Sequence, residues 1–146
     1  MNNLDNADLL VLISADAEWQ AVTAYYQQPL TSTSPFGAFF RVNIAGQRAI
    51  LFQGGWGKVA AAASTQYAID TWHPRLVINL GTCGGFEGRV KTGEILLVTE
   101  TLMYDIYERM ENPDQARAHY ASTIDLSILA QPYPQEVRLS RLISAD

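Results

Sequence analysis

Three kinds of group in this sequence can do chemistry: a carboxylate beside a helix start, two glycine-bearing turns, and one thiol. Glu18 stands in Ser14-Ala15-Asp16-Ala17-Glu18, directly after the apolar run Leu9 to Ile13. A carboxylate there can serve the free N–H groups of a helix N-terminus or stand in solvent on the helix. Ser14 or Asp16 has the side-chain oxygen to cap the same helix. The second group is Gly81-Thr82-Cys83-Gly84-Gly85, which follows the apolar run Leu76 to Leu80. Its Gly-x-Cys-x-Gly shape is that of a nucleophile elbow with a cysteine nucleophile. An elbow opens directly into a helix, whereas Phe86-Glu87-Gly88-Arg89 continues as a glycine-containing loop. Cys83 would then lack the helix N-terminus that lowers a thiol pKa, and a lone cysteine otherwise behaves as a small hydrophobe. The turn is better suited to offering backbone amides and the Thr82 hydroxyl to a phosphate, a sugar or a water.

The other glycine turn is Gly54-Gly55-Trp56-Gly57, ahead of Lys58. A Walker loop needs Ser or Thr after its lysine and a glycine five residues before it; Val59 and Gln53 hold those places. The relaxed dinucleotide fingerprint does fit Gly55 to Ala60, but the following strand ends in Asn79 where a ribose-binding acid should stand. A tight turn that lets an alanine-rich helix pack closely is the simpler use of these glycines.

Elements must hold these groups in place. Leu9 to Ile13 reads as a strand covered on both faces, followed by a helix through Trp19, Val22 and Tyr25. Gln27 to Gly37 reads as a loop, and Phe39 to Ile44 with Arg48 to Phe52 flank Ala45-Gly46-Gln47 as a hairpin. Lys58 to Trp72 is predicted helical, ended by His73-Pro74, with strands at Leu76 to Leu80, Ile95 to Thr99 and Val137 to Ile143. Met103 to Pro134 reads as a loop with a turn or two of helix, and Asn112-Pro113-Asp114 as a turn within it. Asp105, Tyr107 and Glu108 fall in that solvated stretch, from which a side chain can still reach a pocket. The alternation of strand and helix predicts an α/β fold with a largely parallel or mixed central sheet flanked by helices. Ligands in such folds sit beyond the carboxyl ends of the strands, where Ser14 to Glu18 and Gly81 to Gly85 both fall.

Composition narrows the chemistry further. The 146 residues fit one domain, and at 48% hydrophobic they can bury a core. A formal net charge of −5 is the wrong sign for neutralising phosphates, so no nucleic-acid partner is expected. No apolar run approaches the length of a membrane span and no basic region precedes an apolar stretch at the N-terminus, so the chain reads as soluble and cytoplasmic, with no membrane partner. One cysteine excludes an internal disulfide, and His73 and His119 are too far apart in sequence to suggest a zinc site. No cofactor or metal is expected.

Taken in order, the segments resemble the nucleoside phosphorylase and nucleosidase superfamily, especially nucleosidases that cleave methylthioadenosine and adenosylhomocysteine. Ile13 to Glu18 is similar to the family's opening strand and glutamate-bearing turn. Gly55-Trp56-Gly57-Lys58-Val59-Ala60-Ala61-Ala62 is similar to its Gly-Ile-Gly-Lys-Val-Ala-Ala-Ala. Asn79 to Gly85 with Thr92-Gly93-Glu94-Ile95 is similar to its Asn-Thr-Gly-Ser-Ala-Gly-Gly and Val-Gly-Asp-Ile.

The resemblance implies cleavage of an N-glycosidic bond in a small-molecule purine nucleoside or thionucleoside, without a cofactor. By position, Glu18 corresponds to the glutamate that holds and activates the attacking water, and Thr82 to a serine beside the ribose and that water. Cys83 and Gly84 correspond to the segment that contacts base and sugar; Trp56 replaces an isoleucine bordering the nucleophile pocket, and Ala15 a methionine near the ribose. Phosphorylases of the superfamily place arginines where this chain has Asn79 and Glu18, which favours hydrolysis over phosphorolysis. A phosphorylase, a non-catalytic nucleoside-binding module and a Cys83 hydrolase remain as alternatives. Ser144-Ala145-Asp146 is similar to the segment ahead of the family's leaving-group aspartate and ribose-binding glutamate. The chain therefore reads as the first two-thirds of a single phosphorylase-like domain over 1–146, weak or inactive alone, with an open sheet edge that favours a homo-oligomer.

Overall fold

The computed structural model describes residues 6–106, 109 and 112–144. Tyr107, Glu108 and Asp146, named above, lie outside the described residues. The chain forms two compact units, one ending at Cys83 and the other beginning at Gly84.

In the first unit, β1 (Leu9–Ile13) leads to α1 (Asp16–Tyr25), and three strands follow: β2 (Ser32–Thr33), β3 (Ala38–Ile44) and β4 (Gln47–Gln53). Then come α2 (Lys58–Trp72) and β5 (Leu76–Asn79). The sheet order is β2-β3-β4-β1-β5. β1 runs parallel to both β4 and β5, while β3 pairs antiparallel with β4 and with β2. The sheet is therefore mixed, with its parallel part around β1.

The unbroken apolar run of β1 follows from its central place, because alternate side chains feed two cores. Leu10 and Leu12 join Ile50 and Phe52 against Ala68 and Trp72 of α2. Val11 and Ile13 join Ala49, Leu51 and Phe40 against Trp19 of α1. Trp72 stacks at an angle with Phe39 and edge-on with Phe52, at centroid separations of 4.8 and 5.3 Å. The helices thus pack on opposite faces of the sheet. The β3–β4 turn needs positive φ at both Ala45 (50°) and Gly46 (83°), and the Asn43 carboxamide oxygen accepts the Gly46 N–H at 2.8 Å. α2 ends where His73 turns left-handed (φ 44°) ahead of Pro74.

In the second unit, β6 (Leu96–Met103), α3 (Pro113–His119), β7 (Ala121–Thr123) and β8 (Arg138–Ser144) form a three-stranded sheet in the order β7-β6-β8. β6 pairs parallel with β8, with an irregularity between Val98 and Glu100, and antiparallel with β7. The structure departs from the sequence expectation in three places. Ser32–Thr33, inside the stretch Gln27 to Gly37 read as loop, pairs with β3. Asn112-Pro113-Asp114 starts α3 rather than making a free turn: the Asn112 side chain accepts the Asp114 N–H at 2.9 Å and Pro113 takes the first helical position. Within the stretch read as loop, Ala121 to Thr123 pairs with β6, which itself runs on to Met103.

Candidate active site

The site begins where the parallel strands end. The Gly54 N–H donates to the Ile13 carbonyl and the Leu80 N–H to the Leu12 carbonyl, each at 2.9 Å, so the segments after β4 and β5 both leave from beside the end of β1. From there the chain turns through Ser14 and Ala15 into α1. The cap is Ala15, not Ser14 or Asp16, and it has no side chain to satisfy the first N–H groups. Glu18 folds back instead, and its Oε2 accepts the Ala15 N–H at 3.3 Å. Asp16 is drawn aside, its Oδ1 accepting from Gln53 Nε2 at 2.8 Å, which ties the start of α1 to the end of β4.

The other carboxylate oxygen of Glu18 faces the turn after β5. Oε1 accepts both the Thr82 N–H at 2.6 Å and the Thr82 hydroxyl at 2.7 Å. These are short, charge-assisted bonds. Gly81 makes the approach possible: a Cβ there would lie 3.2 and 3.3 Å from the two Glu18 oxygens. Half-burial pushes the Glu18 carboxyl upward, but the hydroxyl and amide of Thr82 and the amide of Ala15 outweigh it and hold the group below its ordinary value. The result is an ionised carboxylate. Oε1 is engaged twice, while Oε2 has one long bond and keeps lone-pair capacity toward a further donor such as water.

The remaining predicted residues are placed as follows. Cys83 is exposed directly after Thr82, and residues 84–94 form no helix, so the chain lacks the strand-to-helix turn an elbow requires. Ala15 is half-buried at the α1 cap, and Trp56 is 86% exposed on the turn after β4. Gly84 opens the second unit, where a Cβ would meet nothing within 4 Å. Asp105 is exposed after β6. Two supporting features were not apparent from sequence: the Ala15 amide and the need for glycine at position 81. The missing capping side chain at Ala15, three residues ahead of Glu18, is the signal that points to the first.

The turn after β4 supports the packing role of its glycines, since a Cβ on Gly55 would fall 2.5 Å from that of Ala60. Within the alanine run, Ala62 and Ala63 face solvent.

The model of the Phosphorylase superfamily matches residues 10–142, across the boundary between the two units. The chain belongs to the phosphorylase superfamily. Among curated superfamily relatives, the 5′-methylthioadenosine/S-adenosylhomocysteine nucleosidase of Tolumonas auensis is 31% identical over 99 residues, covering 64% of this chain and 43% of the relative. The nucleosidase of Pseudoalteromonas translucida is 35% identical over 80 residues, 55% of this chain and 34% of the relative. The chain thus spans less than half the length of these relatives. The fold is similar to that of the Neisseria meningitidis nucleosidase solved with methylthio-immucillin-A, at a TM-score of 0.67 and 20% identity over 92% of this chain and 62% of the other. The Streptococcus pyogenes nucleosidase gives the same TM-score at 12% identity, over 99% and 65%.

Proposed function

We propose that this superfamily member binds a purine nucleoside or thionucleoside at the carboxyl edge of β1, β4 and β5 and cleaves its N-glycosidic bond by hydrolysis. The observation that carries the reading is the Glu18 carboxylate, its pKa held low by Thr82 and Ala15, with Oε1 accepting two bonds and Oε2 only one long one. The relatives named above are nucleosidases, which supplies the substrate class.

In this mechanism the glycosidic C–N bond breaks with its electron pair leaving on the base, which takes a proton from solvent, as positive charge develops on the ribose; water attacks the anomeric carbon and gives its proton to Glu18. Thr82 fixes the direction of the carboxylate, so that the base is oriented before substrate arrives. Ala15, Trp56, Cys83 and Gly84 are assigned to substrate contacts. Phosphorolysis is disfavoured because the groups that steady Glu18 are neutral donors, and a phosphate dianion beside that carboxylate would be repelled. We take residues 1–146 as one phosphorylase-like domain that works in the cytoplasm and self-associates.

Single-turnover adenine release from methylthioadenosine tests the proposal. Glu18→Gln keeps the shape of the side chain and an acceptor for Thr82, but puts an NH2 donor where Oε2 accepts the Ala15 N–H and loses the base; it is expected to reduce release by about a hundredfold or more with binding retained. Release that survives the substitution overturns the assignment. Binding without release in the unsubstituted chain would favour a binding module.

A further inference from the structure

The turn that carries Trp56 is fastened from inside the fold by a side chain to which the chemistry above gives no part. Ser64 on α2 is 1% exposed. Its Oγ accepts the Gly55 N–H at 2.9 Å and donates to the Ala61 carbonyl at 3.1 Å. The turn lies directly on the helix here, because a Cβ on Gly54 would fall 3.1 Å from that same Oγ. On its other side the turn is joined to the end of β1 by the Gly54 N–H to Ile13 bond.

A serine at this position does not serve the helix. It follows four consecutive alanines, and a fifth would form helix more readily while burying no polar atom. What the hydroxyl supplies is an acceptor for the N–H of half-buried Gly55, which holds the turn to the helix. Two residues beyond Gly54, the Trp56 indole projects into solvent at the carboxyl edge where β1 and β4 end. A large ring exposed at a ligand-binding edge is apolar surface that gains by being covered.

We propose that Ser64 is a positioning residue: from the core it sets the Gly54–Gly57 turn so that Trp56 stands as an apolar wall for the substituent or ring of a bound ligand. The ligand's identity rests on the nucleosidase reading, whereas the fastening of the turn does not. The experiment therefore has two readouts in the full chain. Amide exchange at Gly55 and the anisotropy of the solvent-quenchable indole report the turn without ligand, since Trp19 and Trp72 are buried. Calorimetric binding of methylthioadenosine to Ser64→Ala, Trp56→Ala and the double variant reports its consequence.

Ser64→Ala is expected to speed Gly55 exchange about tenfold or more, loosen the indole and weaken binding about five- to tenfold. In the Trp56→Ala background the same substitution should cost nothing further, a coupling that general destabilisation would not produce. Unchanged Gly55 exchange overturns the proposal, as does a binding loss of equal size with and without Trp56. If the unsubstituted chain does not bind methylthioadenosine, the nucleosidase reading fails, and exchange with anisotropy alone decides the role of Ser64. Should Ser64→Ala not fold, Ser64→Cys, close in size and a weak acceptor, carries the same test.

Discussion

The proposed hydrolysis needs Glu18 both ionised and aimed, and one set of contacts favours both. Oε1 takes two donors from Thr82 and Oε2 takes one from Ala15, so the charged form is favoured over the protonated one. Thr82→Ala removes the hydroxyl donor and leaves the amide, so the Glu18 pKa should rise toward its ordinary value. A carbon-detected carboxyl titration reads this directly, and an unmoved midpoint would mean that the hydroxyl does not stabilise the charge. The sign carries over to stability. With its folded pKa below the unfolded one, Glu18 stabilises the fold above the unfolded pKa, and that contribution fades as pH falls through the folded value. In Thr82→Ala the contribution should be smaller and its loss complete at a higher pH, the onset at the unfolded pKa being unchanged. Gly81→Ala tests aim without removing charge: its methyl would meet the carboxylate oxygens at 3.2 and 3.3 Å and push the group by a few tenths of an ångström. Adenine release should drop about tenfold or more, since small misplacement at a reacting centre is costly. Unaltered release would show that the observed orientation is not the working one.

At the scale of elements, legibility tracks how many independent signals agree. β1 and α2 match their predicted bounds, because an apolar run flanked by helix-start residues, and an alanine-rich segment between Gly57 and His73-Pro74, admit one reading each. The N-terminus of α1 was misassigned for the opposite reason. Ser14 and Asp16 are better capping residues than Ala15, yet Asp16 is engaged with Gln53, and Glu18 reaches back in place of a cap. Position 112 shows the same ambiguity, because Asn-Pro-Asp suits a turn and a helix start equally until the following residues pack, as Ala116 does. Three-residue β7 has too short a pattern to read at all. The pairing of Glu18 with Thr82 is separated by 64 positions and needed the sheet: both segments were visible as candidates, but only the parallel register of β1 and β5 brings them together. The α3 reading has its own test. Asn112→Ala should lower local helix stability by about 1 kcal/mol, seen as faster amide exchange at Ala116 through His119 with β1 amides unaffected. Equal exchange would remove Asn112 as the cap.

At the scale of the whole molecule, the question is what the sheet ends do in water. β5 ends the larger sheet with Leu-Val-Ile-Asn, in which Val77 and Ile78 are exposed and no charge interrupts the strand. β8 ends the smaller sheet and exposes Leu139 and Ile143, although Arg138 and Arg141 alternate with them. Unpaired N–H and C=O groups beside exposed aliphatic side chains favour pairing with another chain, and charged residues are the usual guard against it. β8 has that guard and β5 does not. Self-association is therefore expected, and the net charge of −5 on each copy must be overcome as the copies approach. Salt screens that repulsion while leaving apolar contact intact, so the associated fraction should grow as ionic strength rises. Sedimentation velocity across a salt series measures both trends. An Ile78→Lys substitution places a charge on the exposed strand and should shift the distribution toward monomer, while Leu139→Lys, on a strand already guarded, should shift it less. A clean monomer at every salt concentration would show that neither edge is a contact between copies.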